Sequence, residues 1–338
     1  MRSKKKVIKN IIVFLLLIIL TFLIIFKNYD FKTTINIIIN ADKKYIFIAV
    51  ITMFLNFTFE SLNIKLILSS LGNKISLLKA LKYTLIGFFF SGITPASSGG
   101  QPMEIYYMNR EGIPVNNGTL ALLVEVCSFH IVTITSGLIG AIINVNILKS
   151  GFIWIFIIGI TLNLIASLVM FILLFSNRLS SFLIELLIKI LSKFKYQNLE
   201  LLKNKIQESL SEYHKGSLYI KKHKLIFIRS IFIVFIQVLM YYSLTYFVYK
   251  SFNLNEYSYF KIITIQAMLF ISISSIPLPG SVGVSESAFL KVYQSIFGAS
   301  MLASGMILYR GINFYFFIII SLLIIIINNI IYKKSFNN

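Results

Sequence analysis

The sequence is poor in charge, cysteine and proline. Of its 338 residues only 13% are charged, whereas 57% are hydrophobic, and the mean hydropathy is +0.84. This composition excludes a mainly soluble protein and predicts an integral membrane protein with no soluble catalytic domain. Cys127 is the only cysteine, which excludes intrachain disulfides. The sequence has no His/Cys set with metal-ligand spacing and no nucleophile elbow, so we expect no metal, no cofactor and no catalytic residue.

The charge that is present is strongly basic, with a formal net charge of +20. Most Lys and Arg residues lie in short stretches beside apolar runs, and membrane topology explains this pattern better than nucleic-acid binding does. A basic surface also suits anionic lipid headgroups. We therefore expect membrane lipids and no nucleic acid as partners, and a multi-pass location in the cell (inner or plasma) membrane.

Hydrophobic runs recur along the whole chain without a polar block large enough to fold separately, which predicts a single transmembrane domain over residues 1–338. We expect an all-α polytopic fold with about six full spans, over residues 7–26, 45–69, 115–145, 151–175, 225–249 and 300–332. The first run lacks a small-residue cleavage site, so we interpret it as a retained span and not as a signal peptide. Basic residues beside the first and last spans predict cytoplasmic N and C termini.

Residues 178–224 form the most basic segment, with ten Lys or Arg residues against four Glu residues. Apolar residues recur there at alternating spacings of three and four, as on one face of a helix. We predict a cytoplasmic amphipathic helical segment within the transmembrane domain. It either lies on the bilayer surface or packs on the inner face of the protein itself.

Two helix-breaking runs lie inside apolar sequence, over residues 92–104 and 275–286. Proline lacks a backbone donor and glycine tolerates open backbone, so such runs occur at membrane depth where protein or a wet cavity satisfies the freed groups. Each run predicts a re-entrant hairpin, the two hairpins entering from opposite faces as a weak inverted repeat. Two short full spans in place of each hairpin are the alternative. The residues predicted to build the hairpins are Pro95, Gly99, Gly100, Pro102, Pro277, Pro279, Gly280 and Gly283.

Ionisable residues inside membrane spans are costly and therefore indicate function. Arg310 falls about ten residues into the last span and needs a counter-charge. It either forms an ion pair that only fixes helix packing, or its guanidinium binds an anionic headgroup. The residues predicted to contact a headgroup are Arg310, Glu60, Glu104, Glu125, Glu286 and Gln101.

Two further predictions concern neighbours of these groups. We expect Glu104, which closes the first Gly/Pro run, to approach the second hairpin or Arg310. A tyrosine cluster near the outer end of its span is interpreted as an interfacial aromatic belt, composed of Tyr241, Tyr242, Tyr246 and Tyr249.

The run T-P-A-S-S-G-G-Q-P-M-E-I-Y-Y-M-N-R-E-G-I-P, and the later P-L-P-G-S-V-G-V-S-E-S-A-F with Arg310 downstream, resemble the lysylphosphatidylglycerol synthase transmembrane region, the flippase part of MprF-type proteins. The resemblance covers nearly the whole chain and implies a bacterial or archaeal membrane protein that moves an anionic or modified lipid. Full-length members carry an added aminoacyl transferase domain. This sequence resembles the standalone form, so the family label of phosphatidylglycerol lysyltransferase names an activity for which we expect no catalytic module here.

Three functions compete at this stage. The first is a lipid flippase that handles an anionic, aminoacylated or isoprenoid-linked headgroup. The second is the membrane part of a phosphatidylglycerol lysyltransferase, linked to cationic peptide resistance and acting with a separately encoded synthase. The third is a membrane scaffold that recruits partners without transport. A homo-oligomer is compatible with all three.

Overall fold

The structure is a computed structural model. It describes residues 2–176, 178–179, 181–182, 185, 214–215 and 217–337. Within these ranges the regular structure is entirely helical, which confirms the predicted all-α fold. Most of the predicted amphipathic segment, residues 178–224, lies outside the described residues, so that prediction stays open.

In chain order the helices are α1 (Arg2–Asn28), α2 (Phe31–Ile39), α3 (Lys43–Ser70), α4 (Leu77–Gly92), α5 (Gly100–Arg110), α6 (Val115–Ile143), α7 (Ile153–Phe175), α8 (Lys224–Ser251), α9 (Tyr259–Ile273), α10 (Val284–Val292), α11 (Gln294–Arg310) and α12 (Phe317–Asn337). Short 3₁₀ turns follow α4 and α9, at Pro95–Ser97 and Pro279–Ser281. A π-helical turn, Gly311–Phe316, joins α11 to α12.

Five of the six predicted spans are confirmed as helices long and apolar enough to cross a membrane. They are α3, α6, α7, α8 and the combined segment Gln294–Ile330. The first predicted span is also helical, within α1, which includes the apolar stretch Leu15–Lys27. Among the residues that the structure describes, five helices are long and apolar enough to span, apart from α1 and the hairpins.

The two Gly/Pro runs form re-entrant hairpins and not pairs of full spans. The helices of the first hairpin, α4 and α5, have 16 and 11 residues, and those of the second, α9 and α10, have 15 and 9. At 1.5 Å rise per residue even the longest is about 24 Å long, short of the roughly 30 Å hydrocarbon core. The two helices of each hairpin pack on each other, so the chain turns back at each 3₁₀ turn.

The repeat is much clearer in structure than in sequence. α3 and α8 each have 28 residues, and each precedes one hairpin. The first helix of each hairpin begins at a serine whose side chain accepts the backbone N–H three residues on: Ser76 accepts from Lys79, and Ser258 from Lys261. Such a cap satisfies one of the free N–H groups at a helix start. Each hairpin therefore starts with the same local device.

The two halves of the repeat are inverted. The backbone N–H of Asp42, at the start of α3, bonds the carbonyl of Ser251, at the end of α8, at 2.8 Å. Further along, Gln237 of α8 donates to Glu60 of α3. Residue numbers rise along α3 as they fall along α8, so the two packed helices are antiparallel. Since each hairpin follows the C-terminal end of its helix, the hairpins enter from opposite ends of the bundle.

The end of α12 lies beside the base of the first hairpin. Asn329 accepts hydrogen bonds from Tyr107 at 3.3 Å and from Arg110 at 3.1 Å. Lys82 and Glu111 form an ion pair between the two legs at the same end. This end of the bundle is the cytoplasmic one in the charge-based prediction, which the geometry alone does not test.

Candidate functional site

The tips of the two hairpins contact each other. The 3₁₀ turn Pro95–Ser97 contacts the 3₁₀ turn Pro279–Ser281. Both turns begin with a predicted hairpin residue, Pro95 or Pro279, since proline suits the first position of a helical turn, where its missing N–H has no partner to lose. Broken segments that meet in this way are the architecture from which secondary transporters build substrate sites.

Glycines let the legs of the first hairpin pack closely. A Cβ atom at Gly100 would overlap the Ser91 side chain of α4, and one at Gly99 would lie 2.7 Å from Cγ2 of Thr94. The Thr94 hydroxyl accepts the Gly99 N–H at 2.9 Å and donates to the Phe90 carbonyl at 2.6 Å. Gln101, predicted to contact a headgroup, is exposed at the start of α5.

Arg310 forms a buried ion pair at the tip of the second hairpin. Its Nε donates to Oε1 of Glu286 at 2.7 Å, and its Nη2 donates to the carbonyl of Gly280 at 3.0 Å. The other carboxylate oxygen of Glu286 accepts the backbone N–H of Gly283 at 2.7 Å, which caps the start of α10. Arg310 is 4% exposed and Glu286 1%. The pair, which we name the tip pair, ties the last span to the second hairpin.

Two aromatic rings complete the surroundings of the guanidinium. The rings of Phe314 and Tyr315 lie 4.5 Å and 5.6 Å from Cζ of Arg310. In a π-helical turn each carbonyl accepts a hydrogen bond from the N–H five residues later. The π-helical turn after Arg310 places Phe314 and Tyr315 against its guanidinium. Cation–π contacts of this kind stabilise a desolvated guanidinium.

Of the two alternatives predicted for Glu104, the second hairpin or Arg310, contact with Arg310 is wrong. Among the described residues, the carboxylate within 4 Å of Arg310 is that of Glu286. The Glu104 carboxylate instead rests against Gly87 of α4, where a Cβ atom would overlap it. The sequence places Glu104 at the end of the first Gly/Pro run, but it gives no information on which neighbouring helix the side chain faces.

Glu104, Glu60 and Glu125 lie close enough to repel one another electrostatically. Their helices lie together, since α3 and α5 each pack on α6. Gln237 of α8 donates to Oε2 of Glu60 at 3.3 Å, while its own Oε1 is buried without a partner. We name these three carboxylates with Gln237 the acid cluster. It brings together three of the predicted site residues on the side of the first hairpin.

The acid cluster is rich in acceptors and poor in donors. One oxygen of Glu104, which is 7% exposed, has no hydrogen-bond partner. Asn63, one turn after Glu60 on the same face of α3, is fully buried, and its amide nitrogen is a donor that makes no hydrogen bond to the cluster. In the part of the chain that the structure describes, the ion pairs are Lys82–Glu111 and the tip pair, so no basic side chain there neutralises the cluster.

A hydrogen-bonded network on the side of the second hairpin was missed by sequence reasoning. Gln266 of α9 donates to the Tyr309 hydroxyl at 2.7 Å and accepts from Tyr293 at 3.0 Å and from Thr245 at 3.1 Å. Tyr241 lies 3.3 Å from Tyr309, oxygen to oxygen. The signal that could have revealed it is the glutamine in the middle of an apolar half-helix.

The predicted aromatic belt is therefore wrong for most of its members. Tyr242 and Tyr249 are buried in the protein, at 4% and 0% exposure, and Tyr241 joins the network around Gln266. Only Tyr246 is left as an interfacial candidate, and it packs edge-on against Tyr259 at 5.1 Å between ring centroids. Tyrosine spacing near a span end could not distinguish headgroup contact from packing against a second hairpin.

Comparison with known proteins agrees with this geometry. The sequence profile of a family described as the lysylphosphatidylglycerol synthase transmembrane region matches residues 8–321. A UPF0104 membrane protein of Archaeoglobus fulgidus is 22% identical over 295 residues, which cover 86% of this chain and 89% of the relative. The residues matched by the family profile span the positions of both hairpins, the tip pair and the acid cluster.

Proposed function

Because this chain belongs to the lysylphosphatidylglycerol synthase transmembrane-region family, we propose that it is a lipid flippase of the cell membrane. Its substrate is a lipid with an anionic or aminoacylated phospholipid headgroup, or an isoprenoid-linked one. The observation that carries the proposal is the meeting of two inverted hairpins, tip to tip, between two polar clusters inside the bundle.

A headgroup needs polar contacts along its path, because transfer of an unpaired charge into hydrocarbon costs several kcal/mol or more. The acid cluster supplies them on the side of the first hairpin, and the network around Gln266 supplies them on the side of the second. The acyl chains remain in the lipid throughout. A small displacement of one hairpin against the other then opens the path to one face at a time.

The tip pair acts as the closure between the two halves of this path. Arg310 is engaged by Glu286 and Gly280, so a phosphate reaches the guanidinium only by replacing the carboxylate when the tips separate. Guanidinium binds phosphate and carboxylate in the same two-pronged geometry, which makes the exchange chemically matched. In this proposal the first hairpin enters from the cytoplasm, as the basic flanks of the spans indicate.

Reconstitution tests the proposal directly. Purified protein is placed in liposomes that contain a trace of fluorescent phosphatidylglycerol or fluorescent lysylphosphatidylglycerol, and a membrane-impermeant reductant bleaches label in the outer leaflet. We expect protein to speed the bleaching of inner-leaflet label, and Glu104→Gln to slow it by roughly tenfold, which corresponds to about 1.4 kcal/mol. Glu256→Gln, an exposed acid in the loop between α8 and α9, is the matched control and leaves the rate unchanged.

Two results would contradict the proposal. Bleaching no faster than in protein-free liposomes, for every lipid that native mass spectrometry finds with the purified protein, removes the flippase assignment. A new modified lipid in membranes of cells that express this chain alone supports the lysyltransferase alternative instead. Normal transport by Glu104→Gln would leave the flippase intact but remove the acid cluster from its path.

A further inference from the structure

The acid cluster is a set of hydrogen-bond acceptors without the donors to satisfy them. Of its three carboxylates, only Glu60 receives a hydrogen bond from a described residue, the one from Gln237. The Oε1 atom of Gln237, a residue that is 2% exposed, is also buried without a hydrogen-bond partner. Buried acceptors of this kind are normally satisfied, since each unsatisfied one costs about 1–3 kcal/mol.

An ionised carboxylate is costly in this environment. The charge of the buried Glu104 loses its hydration, at a cost of several kcal/mol, and neighbouring like charges add to it. A proton on a carboxyl group removes the charge and at the same time creates an O–H donor. That donor is what Oε1 of Gln237 and the free oxygen of Glu104 lack.

The groups that surround the cluster do not supply another positive charge. Cys127, buried on α6, is the further titratable group that interacts electrostatically with Glu125. On the helices packed around it, Lys82 is paired with Glu111, Arg110 bonds Asn329 and Arg310 is paired with Glu286. The remaining charged or titratable nitrogen-bearing side chains on these helices make no ion pair with the three carboxylates: Lys43, Lys44 and Lys65 on α3, Lys79 on α4, His130 on α6, Lys224, Arg229 and Lys250 on α8, and Lys261 on α9.

The spacing of the carboxylates also favours protons over a metal ion. In the described ranges no group of three His, Cys, Asp or Glu side chains is close enough to share a metal. Glu60, Glu104 and Glu125 affect one another electrostatically but do not form such a group. Each carboxyl group can take its own proton without such a constraint. Chains of Glu residues inside membrane bundles are the usual elements of proton relays.

We propose that Glu60, Glu104 and Glu125 form a proton-binding site that couples lipid movement to proton movement. The inference rests on the proposed flippase function. Glu60 and Glu125 are partly accessible, whereas Glu104 is buried on the return leg of the first hairpin. A displacement of that hairpin changes the burial of Glu104 and so links its protonation to the opening of the lipid path.

The proton step balances as follows for one cycle. When the path opens to one face, the O–H bond of a cluster carboxylic acid breaks and its proton passes to water there. The carboxylate left behind accepts a proton from water at the opposite face before it is buried again. One proton crosses the membrane, and no other reactant is needed.

Infrared difference spectroscopy of the whole protein in lipid tests the site without any transport measurement. We expect the carbonyl stretch of protonated carboxylic acid in the wild-type protein at neutral pH, and a weaker signal in Glu60→Gln, Glu104→Gln and Glu125→Gln. Glu256→Gln is the control and keeps the full signal. A wild-type protein with no such signal at neutral pH would overturn the proposal, and this result does not depend on how any variant folds.

Proteoliposomes that hold a pH-sensitive dye test the coupling. We expect an imposed pH gradient to change the rate of lipid movement at least about tenfold between its two directions, a difference of about 1.4 kcal/mol, and Glu104→Gln to lose this dependence. A rate of lipid movement that is the same with and without the pH gradient would overturn the coupling but not the flippase function. A protonated-carboxyl signal in a protein that moves no lipid would overturn both the coupling and the proposed function.

Discussion

Replacing Arg310 with alanine is expected to lower the free energy of unfolding by roughly 3–5 kcal/mol, because it leaves Glu286 as an uncompensated charge in the protein interior. The two side chains are 5% and 2% exposed, and the Nε and Oε1 atoms are 2.7 Å apart. The substitution also removes the donor to the Gly280 carbonyl. Denaturant unfolding in lipid–detergent micelles, followed by the helical signal, measures the change.

The ion pair at the base of the first hairpin is the matched control. Lys82 and Glu111 have about a fifth of their side chains exposed, at 21% and 20%. Pairs that are partly open to solvent contribute about 0–1 kcal/mol, so Lys82→Ala is expected to cost far less than Arg310→Ala. Equal losses for the two variants would contradict a buried, energetically important tip pair.

A double variant separates the two roles that the sequence left open for Arg310. Arg310→Met combined with Glu286→Gln removes both charges and is expected to recover most of the stability, since replacing a buried pair by neutral residues is often nearly neutral. If lipid movement recovers together with stability, the pair serves packing alone. If movement stays lost in the stable double variant, the guanidinium acts on the headgroup.

Replacing Gly280 with alanine is expected to cost roughly 2–4 kcal/mol. The φ angle of Gly280 is +57°, a left-handed conformation that costs an L-residue about 1–2 kcal/mol. A Cβ atom would also overlap the Phe314 ring, and overpacking of this kind adds about 1–3 kcal/mol. Both effects act at the point where the second hairpin receives the donor from Arg310.

Gly72→Ala is the control for the backbone part of this effect. Gly72 has a φ of +85°, and no atom lies within 4 Å of where its Cβ would be. It therefore reports the conformational cost alone. Thermal unfolding of the two variants in the same lipid should show a clearly larger shift for Gly280→Ala. Identical shifts would mean that the tip of the hairpin tolerates displacement of the Phe314 ring.

Much of the fold could be predicted from sequence because its signals are local. Pro95 and Pro279 interrupt apolar runs too short to span, and such interruptions have few structural solutions in a membrane. The repeat was harder to see, because the features that its halves share are two 28-residue helices and a serine cap at Ser76 or Ser258. The two halves therefore share their geometry but little of their sequence.

The pairing of side chains could not be predicted, because it depends on contacts between distant segments. The depth of Arg310 follows from counting residues, but its choice of Glu286 over three other acids depends on where the second hairpin turns. The position of Glu104 depends on Gly87, 17 positions earlier in the chain, whose missing side chain makes room for the carboxylate. Sequence periodicity does not predict either contact.

Joining the two hairpin tips tests most directly whether their separation moves lipid. In a Cys127→Ala background, which removes the only native thiol, Ser97→Cys and Ser281→Cys place one thiol in each of the two contacting turns. A reagent with a cleavable disulfide arm links them, and the single-cysteine variants serve as controls. The predicted result is that lipid movement in proteoliposomes stops in the linked protein and returns when the arm is reduced. Undiminished lipid movement with the tips joined would contradict the account.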